Sequence, residues 1–413
     1  MTAISHKRLV SELLASRGLC ELIYGELDTY QSSRSRSEPR GLVDTPRSLL
    51  GEEHAFSPSS QFKRYDGLVI TPAPLPDQIQ PASLELRVGN EYWETDKLFT
   101  GFDREFLDKH SIMHQDNLKD GDNILCRPSY IYVVKSYEKI KLPSNIEGIT
   151  DTKSTVGRVG CMSLATDKRF SHLRRGFSSN CGYPENVYFT VEPLAFPIIL
   201  NVGKTKLFQI RLRDSGTSYI DKEELKKIYG TKKGVSLFYD SKKIPLNEDI
   251  LSDNELNLTL DTKRVFFHKK YAAKPLDLTL QEHYNPEEFF DVIEDHNEII
   301  MEPQTLYLFG TKERVKFGNQ YCGFILRDDP YLGIGIRTHL AGFVDPGFNA
   351  RLTLEYWSER RRVVKDGQYA GKMLIEKVEP EVDILYGSEK LGSSYQNQDA
   401  PTLAKIFKKK ERN

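Results

Sequence analysis

Cysteine is scarce in this chain. Cys20, Cys126, Cys161, Cys181 and Cys322 are the five among 413 residues, and no two are close together. An odd number without close pairs argues against a disulfide framework. It fits reduced thiols in a cytoplasmic compartment, each acting as a small buried hydrophobe. Long apolar runs are missing too, and none approaches the roughly 18 residues needed to cross a bilayer. Residues 1–17 carry an apolar stretch around Leu9 and Leu14, broken by Ser11 and Glu12. They read as a short amphipathic helix without a cleavable leader. An excess of one charge is also absent, because 58 Lys and Arg against 59 Asp and Glu leave −1. No global field therefore favours nucleic acid or an anionic membrane. The basic end Lys408-Lys409-Lys410-Glu411-Arg412 reads as a solvated tail. Metal signatures are incomplete. His296-Asn297-Glu298 supplies half of a His-x-Glu and Pro-Cys-x-x-Cys zinc site, but the chain has no Cys-x-x-Cys and no His-Glu-x-x-His, so no zinc is expected. Gly203-Lys204-Thr205 has Ile198 where a phosphate loop needs glycine, and it reads as a β-turn between strands. Gly333-Ile334-Gly335 lacks the third glycine of a dinucleotide fingerprint.

The length suggests two or three domains. Residues 31–60 are rich in Ser, Arg, Pro and Glu and read as a linker with little to bury. From Leu68 onward the texture is β-like. Short β-branched or aromatic runs such as Tyr130-Ile131-Tyr132-Val133-Val134 stand between turn residues. Helical signals are few, and the pattern predicts helices at residues 221–229 and at 285–293, the second with Pro286 in its first turn.

The chain also repeats itself. Residues 128–148 align without gaps on 303–323, matching Pro128/Pro303, Tyr132/Tyr307, Glu138/Glu313, Lys141/Lys316 and Gly148/Gly323. A second match aligns Phe189-Thr190-Val191-Glu192 with Leu352-Thr353-Leu354-Glu355, each followed by a glycine turn, Gly203 and Gly367. Two ordered matches imply a duplicated β-fold with a seam near residues 215–250.

Two segments carry chemistry. Lys153-Ser154-Thr155-Val156-Gly157-Arg158 combines two cations, two hydroxyls and a flexible glycine. It reads either as an anion nest with Arg158 forking to phosphate oxygens or as a solvated basic loop. Ala341-Gly342-Phe343-Val344-Asp345-Pro346-Gly347-Phe348 is a turn between extended runs, leading into Arg351-Leu352-Thr353-Leu354-Glu355. It is either an ordinary hairpin or a cradle for a base and sugar. Alternation puts Glu355 opposite Leu352 and Leu354. If that face lines a pocket, its pKa would rise into a range suited to acid–base work.

Together these segments resemble the dCTP deaminase and trimeric dUTPase superfamily, and most closely the long duplicated bacterial dCTP deaminases. Ile79-Gln80-Pro81-Ala82-Ser83-Leu84-Glu85-Leu86-Arg87-Val88-Gly89 resembles the opening signature, with Glu85 where Asp is common. Residues 153–158 resemble the phosphate-binding and catalytic loop, residues 341–355 the base- and sugar-binding hairpin, and Gly392-Ser393-Ser394-Tyr395-Gln396-Asn397-Gln398 the closing lid. The resemblance implies a mainly β chain with two tandem dUTPase-like β-barrel or jelly-roll domains and few short helices. Its plan would be a helix and linker over 1–60, a first domain over 61–215, a connection over 216–250, a second domain over 251–385, and a lid and tail over 386–413. It implies metal-independent hydrolysis of dCTP to dUTP and ammonia in a cytoplasmic enzyme. The alternatives are a dUTP diphosphatase, a bifunctional enzyme, or a non-catalytic nucleotide sensor. Glu355 would be the acid–base group, Ser154 would position water, and Arg158 would offset developing charge, with Glu192 the rival acid. Lys153, Ser154 and Thr155 would hold phosphates, Asp345 the sugar, and the backbone at Ala341 the base edge. Gly157, Thr353, Tyr386, Tyr395 and Gln398 complete the expected nucleotide-binding set. Mg²⁺ would arrive on the triphosphate, and the chain would form a homo-oligomer, with a trimer favoured.

The resemblance also has gaps. Ser394 stands where shorter relatives usually carry Lys. The first half reads Arg174-Arg175-Gly176-Phe177 without Asp-Pro, and the second reads Arg327-Asp328-Asp329-Pro330 where Lys153-Ser154 would fall. The expectation is therefore complementation, one site built from the loop of the first half and the hairpin of the second.

Overall fold

The computed structural model describes residues 3–4, 68–97, 104–166, 176–177, 185–214, 219–270, 274–327, 332, 335–389, 391 and 395–409. The Ser/Arg-rich segment, Cys20 and Cys181, Arg174-Arg175, Asp328-Asp329-Pro330, Gly392-Ser393-Ser394 and the last four residues lie outside these. Of residues 1–17, only Ala3 and Ile4 are described. They form a short strand beside Arg213 and Val378, not part of a helix.

The chain is mainly β, in two β-rich halves with separate apolar cores. Alternation explains the strands. In Glu185–Pro193, Val187, Phe189 and Val191 are buried between half-exposed Asn186, Tyr188, Thr190 and Glu192, which is the period-two pattern of a strand with one face inward. In each half one long strand turns the corner between two sheets. Leu84–Thr95 pairs first with Lys206–Asp214, then with Ile131–Lys141. Glu255–His268 pairs first with Tyr369–Glu379, then with Thr305–Phe317. At the first corner a Cβ on Gly89 would lie 2.7 Å from the carbonyls of Lys135 and Ser136, so only glycine permits that approach.

The repeat is visible atom by atom. The Tyr132 hydroxyl accepts from the Arg127 amide at 2.9 Å, as Tyr307 does from Glu302 at 3.0 Å. Buried Glu138 accepts from the Arg87 amide at 2.9 Å, and Glu313 from the Thr259 amide at 2.9 Å. Gly203 and Gly367 both turn with positive φ, +76° and +74°.

Three further expectations need correction. Residues 285–293 are not a helix. A short 3-10 turn, Pro286–Glu288, leads into the strand Phe290–Glu294, which pairs with Glu255–His268. Phe289 and Phe290 are drawn into the aromatic cluster around Phe196 and Phe407, and this tertiary burial overrides local propensity. The helix Lys222–Ile228 forms with Asp221 as its cap, the Asp221 carboxylate accepting from the Glu224 amide at 2.8 Å. The second correction concerns the segment 216–250: Leu225, Val235 and Leu237 are buried in the second core, and Val235–Tyr239 pairs with Thr305–Phe317.

The third concerns the second repeat match, which is shifted by two residues. Val133 pairs with Thr190 and its counterpart Leu308 pairs with Glu355, so Thr190 is the structural counterpart of Glu355. By the same register Glu192 corresponds to Trp357. An even shift keeps every side chain on its expected face, so the apolar pattern alone does not reveal it.

The seam runs along Thr305–Phe317. Leu306 and Leu308 enter the first core, whereas Tyr307 and Phe309 enter the second. Burying each leucine side chain contributes about 1.5–3 kcal/mol, so this strand ties the halves together. Ile198–Asn201 of the first half adds a parallel pairing to Leu276–Asp277 of the second. Among the described residues no helix is long and apolar enough to cross a membrane.

Candidate active site

The strand Ile146–Thr152 ends in one helical turn, Ser154–Gly157, with Arg158 behind it. Facing it across the seam is the strand Asn349–Ser358 of the second half. Its residues Leu352, Leu354 and Tyr356 fill the second core. Glu355, paired with Leu308, therefore projects toward the first half. The two segments touch: a Cβ on Gly157 would sit 3.1 Å from Glu355 Oε1 and 3.1 Å from Ala341 Cβ.

Asp151 fixes this contact. Its buried carboxylate accepts from the Gly342 amide at 2.7 Å and the Phe343 amide at 2.8 Å, and it pairs with Arg327, whose guanidinium also donates to the Leu340 carbonyl at 2.6 Å. A carboxylate of the first half thus holds the hairpin backbone of the second. The turn Asp345-Pro346-Gly347 requires its glycine, with φ at +88° and a Cβ position 2.6 Å from Leu385.

A cavity of about 430 Å³ lies at this junction. Of the expected residues, Lys153, Ser154, Thr155, Arg158, Ala341, Asp345, Thr353, Tyr386, Tyr395 and Gln398 line it. Gly157 and Glu355 are not among the lining residues, but both contact Ala341, which is. Glu192 is not among the lining residues and pairs with Arg337 at 2.5 Å. Glu355 is buried; its Oε2 accepts from the Ala341 amide at 3.4 Å, and Oε1 has no partner. Burial pushes its carboxyl up to about 7, although nearby Arg158 opposes the rise. Asp345 is half-buried, with its Oδ1 atom buried and unpartnered; desolvation, helped by Glu85, pushes its carboxyl up to about 7. Arg158 donates to Ser154 Oγ at 3.2 Å and to the Thr402 carbonyl at 2.8 Å, and its guanidinium lies 3.7 Å from the Tyr395 ring centre.

The end of the chain crosses this site. The Tyr395 hydroxyl meets Thr155 Oγ1 at 2.9 Å, and Gln398 donates to the Arg351 carbonyl at 2.6 Å. Ala404, Ile406 and Phe407 then insert into the first core. Sequence reasoning had missed Asp151, Thr402, Lys206 and Lys405 here. The alternation of Ala404 and Ile406 around Lys405 was the available signal for an ordered segment. Among the described residues no group of three or more His, Cys, Asp or Glu is arranged to hold a metal ion. Cys126, Cys161 and Cys322 are buried free thiols.

Comparison with known proteins identifies both halves. Residues 63–216 match the 2'-deoxycytidine 5'-triphosphate deaminase (DCD) N-terminal domain, and residues 222–407 match the DCD C-terminal domain. Similar proteins include the "dCTP deaminase, dUMP-forming" of Corynebacterium glutamicum, 27% identical over 169 residues, which is 40% of this chain and 86% of that protein. The protein of the same description from Streptomyces coelicolor is 28% identical over 173 residues, 40% of this chain and 85% of that one. The crystal structure of 2'-deoxycytidine 5'-triphosphate deaminase from Agrobacterium tumefaciens superposes with a TM-score of 0.64 at 22% identity, over 76% of this chain and 94% of that one, a likeness of fold. Two DCD domains in order over most of its length place this chain in the 2'-deoxycytidine 5'-triphosphate deaminase family.

Proposed function

We propose that the protein deaminates dCTP at C4, giving dUTP and ammonia, at one composite site per chain. The observation that carries this reading is Glu355: a buried carboxyl whose pKa is raised to about 7, with one oxygen unpartnered, against Gly157 and beside Arg158 of the other half, where Arg158 donates to Ser154. Glu355 takes a proton from water as the water oxygen bonds to C4, and returns it to the exocyclic nitrogen as the C4–N bond breaks. Ser154 orients the water, and Arg158 offsets negative charge developing at the ring, an interaction strengthened where water is excluded. The Ala341 backbone reads the base edge, with Asp345 at the sugar and Lys153, Ser154 and Thr155 at phosphates. Gly157, Thr353, Tyr386, Tyr395 and Gln398 pack around the nucleotide. Mg²⁺ enters on the triphosphate, held mainly by phosphate oxygens and water. The nearest carboxylates at that end, Asp77 and Glu85, are paired with Lys206 and Lys153 at 2.8 and 2.7 Å. The cytoplasmic setting and an assembly of three chains belong to the same proposal, and light scattering measures the latter.

Ammonia and diphosphate release from dCTP and dUTP test the reaction. Ammonia without diphosphate supports dUTP as product. Both from dCTP support the dUMP-forming reading, which the names of the similar proteins favour. Neither product sinks the enzyme reading. Ser154→Ala is expected to lower kcat by roughly 10²-fold with little change in Tm; near wild-type turnover removes Ser154 from the site.

The pH profile has a definite sign. Because Glu355 must start ionised, kcat/KM is expected to fall about tenfold per pH unit below about 7. Asp345→Asn keeps this acid limb if Glu355 is the titrating group; loss of the limb in that variant assigns it to Asp345.

A further inference from the structure

The polar end of the cavity holds charges beyond those of the loop and the hairpin. Lys153 lies 2.7 Å from Glu85, and Lys206 lies 2.8 Å from Asp77 and 3.5 Å from Glu85. A third ammonium, Lys405, lines the same end, with Gln209 and Gln281. Three cations thus face two carboxylates, and among the described residues Lys405 has no ion-pair partner. It is destabilised as a cation by burial first and then by Lys153.

Such a cation is costly unless an anion completes it, and the chain around it is anchored. Ala404 and Ile406 on either side of Lys405 are buried in the first core, the Lys405 amide donates to the Tyr395 hydroxyl at 3.2 Å, and its carbonyl accepts from the Glu282 amide at 3.0 Å. Alternation leaves the Lys405 side chain facing the cavity. Its backbone meets the phosphate loop through the shared Tyr395 hydroxyl, which also bonds Thr155.

We propose that Lys405, supported by Lys206, is the contact that reads the terminal phosphates of the substrate and sets the preference for a triphosphate over a monophosphate. This rests on the reading of the cavity as a nucleotide site, but a test with inorganic tripolyphosphate separates the two. Dissociation constants for dCTP, dCMP and tripolyphosphate are measured for the full chain and for Lys405→Gln, Lys405→Arg, Lys206→Gln and Lys408→Gln. Lys408 is exposed and serves as a charge-matched control.

Lys405→Gln is expected to weaken dCTP and tripolyphosphate by about tenfold, the scale of one charge-assisted hydrogen bond, and dCMP by less than about twofold. Lys206→Gln shifts the same two ligands in the same direction. Lys405→Arg restores most of the affinity, and Lys408→Gln leaves all three ligands unchanged. An equal loss for dCMP and dCTP, or no loss for dCTP and tripolyphosphate, overturns the assignment. Lys405-dependent tripolyphosphate binding without turnover of dCTP leaves the assignment standing and removes the deaminase reading. If Lys405→Gln fails to fold, Lys206→Gln and Lys405→Arg decide: unchanged dCTP and tripolyphosphate affinity in Lys206→Gln, or unrestored affinity in Lys405→Arg, overturns it.

Discussion

Glu355→Gln is expected to lower kcat for ammonia release from dCTP by about 10³-fold, within the usual range for losing a positioned general base. The amide keeps the size of the side chain and an oxygen for the Ala341 amide, but it takes up no proton. The same substitution is expected to raise stability. The Glu355 carboxyl has an ordinary pKa of 4.5 and is held at about 7 by burial in the folded chain. The folded state therefore binds the extra proton, and its stabilising effect is complete below about 4.5 and lost as pH rises through about 7. Above that pH the wild-type chain carries a buried carboxylate at a cost on the order of 3 kcal/mol, which Gln removes. The expected result at pH 8 is a variant with a higher Tm and almost no turnover, with the Tm advantage shrinking toward pH 5. Turnover within tenfold of wild type would falsify the assignment of Glu355.

The second large effect falls on a residue outside the cavity lining. Asp151→Ala strips four partners at once: the amides of Thr152, Gly342 and Phe343 and the guanidinium of Arg327. Arg327 is then left buried without its carboxylate, which costs about 3–5 kcal/mol. For domains of this size that corresponds to a Tm lower by roughly 10 °C. Because Asp151 holds the hairpin that carries Ala341 and Asp345, kcat/KM should fall as well. Asp151→Asn, which keeps an acceptor for the amides, should recover part of both losses. Calorimetry and steady-state kinetics on the two variants check this; a Tm drop below about 2 °C in Asp151→Ala contradicts the clamp.

These two residues show what was legible beforehand. Glu355 could be picked out because Leu352, Leu354 and Glu355 alternate within one strand, and alternation survives whatever packs outside. Asp151 was overlooked because nothing local marks it: the partners it holds in the second half are more than 170 positions away. The same reason explains the shifted repeat. Thr190 and Glu192 lie on the same face of their strand, and only the pairing with Val133 identifies Thr190 as the counterpart of Glu355. Lys405 was read as part of a lid and tail because the chain near it is basic, yet Ile406 and Phe407 anchor it in a core formed by residues of both halves.

By itself, then, the sequence determined that the chain is β-rich, duplicated and related to dCTP deaminases. Those properties reside in alternation, turn residues and short motifs, which local chemistry enforces. The tertiary structure decided which strand residues are equivalent, that residues 285–293 extend instead of coiling, and that the phosphate loop of one half meets the hairpin of the other across Asp151. These are outcomes of long-range burial and pairing, where contacts between distant residues outweigh local propensity by several kilocalories.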